Sequence, residues 1–230
     1  MLDNSIFLKN LAAVRTRIAD ACAACGREPR SVALLPVTKT HPADAAQFAY
    51  EAGLGAVGEN RVQEAAEKRP LAPAGLRWEL IGHLQSNKIK QAVATFDRIQ
   101  SVDTPELATR LGRHCAEIGK TLPVLLQANA SSDPAKFGAV GLDDLLRLVE
   151  TAAAQPALHI EGLMTIPALD ASPDVARRAF ETLREWRGVL ETRLGRTLPE
   201  LSMGMSGDLE IAIAAGSTLV RVGTALFGHR

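Results

Sequence analysis

The chain has 230 residues, of which 47% are apolar and 23% are charged, a composition typical of folded globular proteins that excludes disordered and fibrous classes. Its 26 basic residues balance its 26 acidic residues, so we expect no nucleic-acid partner, because nucleic-acid binders usually carry a basic excess. No apolar run approaches the roughly 18 residues of a membrane span, and residues 1–10 lack the pattern of a signal peptide. We therefore expect no membrane partner and a cytoplasmic location.

The first element in the chain is predicted to be an amphipathic helix. Its apolar residues recur every three or four positions and therefore share one face: Phe7, Leu11, Val14 and Ile18. Gly26 and Pro29 are typical of the residues that end such a helix.

The three cysteines and five histidines do not form a recognisable site. Cys22 and Cys25 have the CxxC spacing of a redox or metal pair, but they lie at the end of the first helix without a second pair or a nearby histidine. We interpret them as packing residues or as part of a fraying helix end, rather than as a chemical site. The histidines show no metal-ligand spacing, so we predict no metal site.

Eight short apolar stretches are predicted to be strands: 32–38, 55–58, 78–83, 98–102, 123–128, 159–165, 201–205 and 218–222. Helical patterns separate them, including one that Ser172 caps and Pro173 opens. Eight βα units in about 200 residues predict an α/β fold, a single TIM (β/α)8 barrel with an extra N-terminal helix, forming one domain over residues 1–230. A doubly wound open sheet is the alternative, weakened because no GxGxxG follows the first strand.

Lys39 stands out because barrels carry their working residues at the C-terminal ends of strands. Of the seven lysines, only Lys39 directly follows a buried apolar strand. Loss of hydration there would lower the pKa of its amine, and a neutral amine can attack a carbonyl to form an imine. The alternative is a lysine whose amine reaches from the barrel rim to water.

The last two strand ends predict a phosphate site. Ser206 and Gly207 follow the seventh strand, and Gly223 and Thr224 follow the eighth. TIM barrels often bind phosphate between these two loops, where glycines allow the backbone to approach and hydroxyls donate hydrogen bonds. The alternative for both loops is ordinary helix capping and turn formation.

An imine-forming lysine opposite a phosphate site predicts a phosphorylated aldehyde as ligand. This ligand is either a sugar phosphate, as in an aldolase, or pyridoxal 5′-phosphate (PLP). Arg221 favours PLP, because a charged residue in an apolar strand needs a partner or ligand, and an arginine facing a pyridine nitrogen would keep that nitrogen unprotonated. The alternative is a structural ion pair inside the barrel.

Six motifs, which keep their order over nearly the whole chain, resemble those of the pyridoxal phosphate homeostasis proteins, also called the proline synthetase co-transcribed homologue family. They are PVTKT at 36–40, GENRVQE at 58–64, IGHLQSNK at 81–88, GLMTI at 162–166, LSMGMSGD at 201–208 and VRVGTALFG at 220–228. The resemblance implies a PLP-binding barrel like the N-terminal domain of alanine racemase.

The same resemblance implies a role for each residue predicted to bind the cofactor. Lys39 carries PLP as a reversible internal aldimine, Asn60 lies beside the ring, and Arg221 faces the pyridine nitrogen. The phosphate is held by four residues: Ser206, Gly207, Gly223 and Thr224. The implied role is intracellular PLP (vitamin B6) homeostasis, with supply of PLP to apoenzymes and effects on amino-acid and keto-acid balance. By analogy with the family, we expect a monomer.

The sequence favours a PLP carrier over an enzyme. A two-base racemase needs an acid–base group on each face of the cofactor, and in alanine racemase the base opposite the lysine is a tyrosine from a second domain of the partner subunit. Here the chain ends at Arg230, so we expect no second domain, and the single tyrosine, Tyr50, lies in a predicted helix. His83 or a cysteine could substitute, although we interpret His83 as a hydrogen-bonded rim residue. A PLP-dependent amino-acid racemase or related enzyme is the alternative, and weak side activity is compatible with the carrier.

Overall fold

The computed structural model describes residues 3–131, 133, 135–168 and 172–228. Within these residues the α-helices are α1 (Asn4–Ala24), α2 (Asp44–Glu51), α3 (Val62–Lys68), α4 (Ile89–Thr95), α5 (Pro105–Glu117), α6 (Gly141–Ala153), α7 (Pro173–Leu194), α8 (Leu209–Ala214) and α9 (Thr224–Phe227). No helix in this part of the chain combines the length and the apolar character needed to cross a membrane.

The strands alternate with these helices along the chain. They are β1 (Ala33–Pro36), β2 (Ala56–Glu59), β3 (Arg77–Leu80), β4 (Arg98–Val102), β5 (Leu122–Asn129), β6 (Ala139–Val140), β7 (Leu158–Met164), β8 (Glu200–Ser202) and β9 (Leu219–Val222). Each of the eight predicted strands overlaps one of these. The unpredicted strand, β6, has two residues, which is too short for an alternation of apolar and polar positions to appear.

Eight parallel strands form the barrel, in the order β1, β9, β8, β7, β5, β4, β3 and β2. The first and last strands of this order, β1 and β2, are joined by a parallel bridge between Val37 and Gly58. The Thr38 amide also donates to the Gly58 carbonyl at 3.1 Å. β6 lies off this path and pairs with the end of β5. The predicted (β/α)8 barrel is therefore confirmed, and the open sheet is not formed.

The N-terminal helix α1 packs its predicted apolar face against the barrel. Phe7 on this face is buried and stacks on Phe227 of α9, with the ring centroids 5.2 Å apart. Cys22 is buried on the same face, where desolvation raises the pKa of its thiol, whereas Cys25 is exposed at the C-cap. The packing interpretation therefore holds for Cys22 and not for Cys25, which faces solvent at the end of the helix.

The helix α7 begins as predicted, because the Ser172 side chain accepts a hydrogen bond from the Asp174 amide and Pro173 occupies the first turn. The main hydrophobic core lies between the strands and the helices and includes the fully buried rings of Trp78, Phe96 and Phe180.

Candidate functional site

A cavity of about 740 Å³ opens at the end of the barrel where the C-terminal ends of the strands meet. All the residues predicted from the sequence to bind a cofactor line this one cavity: Lys39, Asn60, Ser206, Gly207, Arg221, Gly223 and Thr224. Because a parallel barrel places all its strand ends at one rim, residues far apart in the chain converge here.

Lys39 follows the end of β1 and is half-buried. Its neighbours on both sides are held by other residues. The Thr38 hydroxyl donates to Glu59 Oε1 at 2.7 Å, and the Thr40 amide donates to Glu64 Oε1. Thr40 has a φ of 63°, in the left-handed region that residues other than glycine rarely adopt.

A buried lysine that was not predicted from the sequence, Lys68, lies at the end of α3. Its Nζ atom donates to the Thr38 carbonyl at 2.8 Å, to Glu59 Oε1 at 2.8 Å and to Glu64 Oε1 at 2.6 Å. Burial raises the pKa of Glu59, whose carboxylate is fully inaccessible, although its bonds from Lys68 and Thr38 act in the opposite direction. We call these residues (Thr38, Thr40, Glu59, Glu64 and Lys68) the Lys68 cluster.

The loops after β8 and β9 meet beside the cavity. Ser206 Oγ accepts a hydrogen bond from the Ala225 amide at 3.3 Å, which leaves its own hydroxyl proton available to a ligand. Asp208 Oδ1 accepts from the Met205 amide at 2.6 Å and so fixes the turn that carries Ser206. Burial raises the pKa of Asp208, although the Met205 amide and Arg221 favour its charged form.

The two predicted phosphate-site glycines differ in their surroundings. A Cβ atom on Gly207 would meet no protein atom within 4 Å, so its backbone is open to a ligand. A Cβ atom on Gly223 would lie 3.2 Å from the Val37 carbonyl oxygen, because the loop after β9 packs closely on the end of β1.

Arg221 lies on β9 and is 3% exposed. Its Nη1 donates to Ser202 Oγ at 2.7 Å and its Nη2 to the Thr165 carbonyl at 2.8 Å. Desolvation lowers the pKa of the guanidinium to about 10, although nearby Asp208 acts in the opposite direction. The group therefore remains a cation at neutral pH. In the part of the chain that the structure describes, Arg221 makes no ion pair within 4.0 Å, so its anchors are neutral oxygens.

His83 is a hydrogen-bonded residue at the cavity rim, as interpreted from the sequence, but its partner Asp103 was not predicted. His83 Nδ1 lies 3.0 Å from Asp103 Oδ2, and the imidazole stacks on Phe137 with the ring centroids 4.0 Å apart. Burial raises the pKa of Asp103, although His83 favours its charged form. His83 and Asp103 follow neighbouring strands, β3 and β4, so the strand-end rule alone could have paired them. The segment with Phe137 is held by buried Gln127, whose Nε2 donates to the Phe137 carbonyl at 3.0 Å.

Other candidates lie apart from the cavity. Tyr50 is 43% exposed on α2 and does not line the cavity. Among the described residues, no three histidine, cysteine, aspartate or glutamate side chains gather in a way that could hold a metal ion.

Three comparisons with known proteins show the family and the fold of the chain. Residues 10–230 match the family model described as alanine racemase, N-terminal domain. The chain is 44% identical over 227 residues to the pyridoxal phosphate homeostasis protein of Pseudomonas aeruginosa, covering 98% of this chain and 96% of that protein. It is 39% identical to the solved structure of PipY from Synechococcus elongatus PCC7942 with PLP bound, with a TM-score of 0.80, covering 92% of this chain and all of that one.

A more distant solved structure supports the fold alone. Alanine racemase of Clostridium difficile superposes with a TM-score of 0.80 at 14% identity, covering all of this chain but only 58% of the racemase. The likeness places the barrel among alanine racemase N-terminal domains and says nothing about chemistry.

Proposed function

The chain belongs to the family of pyridoxal phosphate homeostasis proteins, and from this premise we propose that it binds PLP in the cavity at the barrel mouth, as a cofactor carrier in vitamin B6 homeostasis. The observation that carries the proposal is the convergence of an amine, a buried guanidinium, two hydroxyls and two glycines on one cavity. This set matches the three parts of PLP, which are its aldehyde, its pyridine ring and its phosphate.

Lys39 is the residue proposed to attach the cofactor. PLP supplies an aldehyde, whose oxygen leaves as water together with two amine protons when a neutral primary amine forms a C=N bond to its carbon. Lys39 suits this role because it lines the cavity at the end of a strand whose position the barrel fixes. The bond is reversible, so a free amine can displace Lys39 and carry the cofactor away.

The loops after β8 and β9 are proposed to bind the phosphate. Ser206 has a hydroxyl proton available to donate, Gly207 has an open backbone, and Gly223 and Thr224 line the cavity from the neighbouring loop. Hydrogen bonds to a charged phosphate oxygen are stronger than those between neutral groups. These four residues would therefore orient the ligand as well as bind it.

Arg221 and Asn60 are proposed to contact the ring. The guanidinium has five N–H donors, of which two groups already bond to Ser202 and Thr165, and it lines the cavity. A permanent cation at the pyridine nitrogen disfavours protonation of that nitrogen and weakens the ring as an electron sink. This favours storage of the cofactor over catalysis with it.

We further propose that residues 1–230 act as one domain and that the protein is a cytoplasmic monomer that supplies PLP to apoenzymes. The family name supports the homeostatic role. The position of Tyr50 on α2 supports the absence of efficient two-base chemistry, because it cannot serve as the base opposite Lys39 from outside the cavity.

A PLP-dependent amino-acid racemase is the second candidate, and the His83–Asp103 pair favours it. This pair places an imidazole oriented by a buried carboxylate at the same cavity as Lys39, an arrangement that general bases often use. Chiral analysis of common amino acids incubated with the protein distinguishes the two functions. Racemisation well above that by free PLP supports the enzyme, and a rate equal to free PLP supports the carrier.

Borohydride trapping tests the proposal directly. We expect the protein reconstituted with PLP to be yellow, and reduction to fix the cofactor on the peptide that contains Lys39. Lys39→Ala should lose the covalent product while remaining folded, whereas Lys120→Ala, which removes a lysine outside the cavity, should retain it. Trapping on a different lysine, or none in the original protein, would contradict the assignment.

A further inference from the structure

The Lys68 cluster forms hydrogen bonds with the backbone of both neighbours of Lys39 in the chain. The Lys68 ammonium donates to the Thr38 carbonyl at 2.8 Å, on the N-terminal side. It also binds the Glu64 carboxylate at 2.6 Å, and that carboxylate accepts the amide of Thr40 on the C-terminal side. Both neighbours of Lys39 in the chain are therefore held in place by hydrogen bonds.

The backbone conformation of Thr40 needs stabilisation by its surroundings. A threonine at a φ of 63° is strained, and such a conformation persists only where the surroundings hold it. The hydrogen bond from the Thr40 amide to Glu64 stabilises this conformation, and Lys68 fixes Glu64 in turn. The Lys68 cluster therefore supports the sharp turn of the chain just after Lys39.

The same ammonium also reaches the end of the neighbouring strand, β2. Glu59 accepts bonds from Lys68 Nζ at 2.8 Å and from the Thr38 hydroxyl at 2.7 Å, and it directly precedes Asn60. One buried group thus couples the end of β1, the end of β2 and the helix α3.

The ammonium itself is fully occupied. Lysine has three N–H donors, and the three acceptors around Lys68 match them in number. Lys39 lines the cavity and Lys68 does not. Of the two lysines here, Lys68 is therefore the structural residue and Lys39 is the candidate reactive amine.

We infer that Lys68 is a positioning residue: through Thr38, Thr40 and Glu64 it aims the Lys39 amine at the aldehyde of the bound cofactor. This inference rests on the proposed function. Bond formation needs the amine within near-attack distance of an aldehyde whose position the phosphate site sets, and small misplacements of reacting groups cost large factors in such reactions. The Lys68 cluster supplies that placement without touching the ligand.

The test compares PLP with pyridoxine 5′-phosphate, which keeps the ring and phosphate but carries an alcohol where PLP has the aldehyde. In Lys68→Met, we expect the affinity for PLP to fall by about tenfold or more, and that for pyridoxine 5′-phosphate to stay within about threefold. Lys120→Met is the matched control, because Lys120 also donates to backbone carbonyls, those of Val93 and Phe96, away from the cavity. It should change neither affinity.

A second variant keeps the test decisive if Lys68→Met does not fold. Glu64→Ala removes the oxygen that accepts from both the Thr40 amide and Lys68 Nζ, in a side chain that is 20% exposed. It should give the same selective loss of PLP affinity. Amide hydrogen exchange in the protein without cofactor adds an independent measurement. The Thr40 amide should exchange faster in Glu64→Ala than in the original protein. In Lys120→Met its exchange rate should be unchanged.

Parallel losses of both ligands, or no loss of either, would overturn the inference, because the Lys68 cluster would then act on general stability or not at all. Failure of the proposed function gives a different result. In that case the original protein itself would bind PLP no better than pyridoxine 5′-phosphate and would yield no reduced product on Lys39.

Discussion

The guanidinium of Arg221 donates a 2.7 Å hydrogen bond to the hydroxyl of Ser202 inside the barrel. Ser202 donates in turn to Gln100 Oε1 at 2.6 Å, and Gln100 Nε2 donates to Glu79 Oε2 at 2.6 Å. The chain of bonds ends at Arg98, which donates to the same Glu79 oxygen at 2.8 Å. In this buried series of hydrogen bonds each donor has a defined acceptor. The series therefore positions the Arg221 guanidinium at the cavity.

The first prediction concerns this chain of bonds. Ser202→Ala removes an acceptor from a buried guanidinium and a donor from Gln100, and should lower the free energy of unfolding by about 1–3 kcal/mol. Urea denaturation measures the loss. Thr192→Ala is the control, because its exposed hydroxyl bonds only to the Gly188 carbonyl four residues earlier, and it should change stability by less than about 0.5 kcal/mol. Equal effects of the two substitutions would show that the interior chain adds nothing.

The second prediction concerns the phosphate site. Ser206→Ala removes a hydroxyl whose proton is available to a charged oxygen, so the affinity for PLP should weaken by about 1–3 kcal/mol. The comparison ligand is pyridoxal, which has the aldehyde and ring but no phosphate. Its affinity should not change, and a matching loss with pyridoxal would place the phosphate elsewhere.

The third prediction uses the two glycines of the same site. Gly207→Ala adds a methyl group that meets no protein atom within 4 Å, and the φ of Gly207 lies outside the left-handed region, so thermal stability should be retained. The affinity for PLP should fall, since the methyl group would stand where a phosphate oxygen approaches the backbone. Gly223→Ala should instead destabilise the fold by about 1–3 kcal/mol, because its Cβ would lie 3.2 Å from the Val37 carbonyl oxygen. Unchanged binding in Gly207→Ala would contradict the proposed contact.

The sequence predicted the barrel well because its strands are local patterns. Apolar runs such as those around β1 and β9 are visible without any knowledge of partners, and the parallel arrangement then brings their ends together. That rule sufficed to collect Lys39, Ser206 and Arg221 at one rim, where the cavity now places them. The roles assigned to these residues stay predictions.

The parts that the sequence did not reveal depend on long-range pairing. Lys68 is an ordinary polar residue at the end of a short helix, and only the fold brings its amine to Thr38, 30 residues away. The series of buried hydrogen bonds from Arg98 to Arg221 likewise joins separate strands. The spacing of apolar residues along any one strand therefore does not predict it. Buried polar residues in strands, such as Gln100 and Glu79, were the available signal, because such groups need partners.

The last prediction concerns the pH dependence of stability. Burial raises the pKa of Asp208 above its ordinary value of 3.8, so the folded protein keeps this proton to a higher pH than the unfolded chain does. Between these two pKa values unfolding releases a proton, and the contribution of Asp208 to stability therefore falls as pH rises. Asp208→Asn has no such proton, while its side-chain oxygen can still accept from the Met205 amide. The free energy of unfolding of the original protein minus that of Asp208→Asn should thus decrease from below pH 3.8 upward and then level off.

Glu210 is the matched control with the opposite sign. The hydrogen bond from Arg17 lowers the pKa of Glu210 below its ordinary value of 4.5, so its contribution is present above pH 4.5 and is lost as pH falls through the lower, folded value. The corresponding difference for Glu210→Gln should therefore increase as pH rises. Urea titrations at several pH values measure both differences. If both differences increased as pH rises, the contacts with Met205 and Arg221 would stabilise the Asp208 carboxylate more than burial disfavours it.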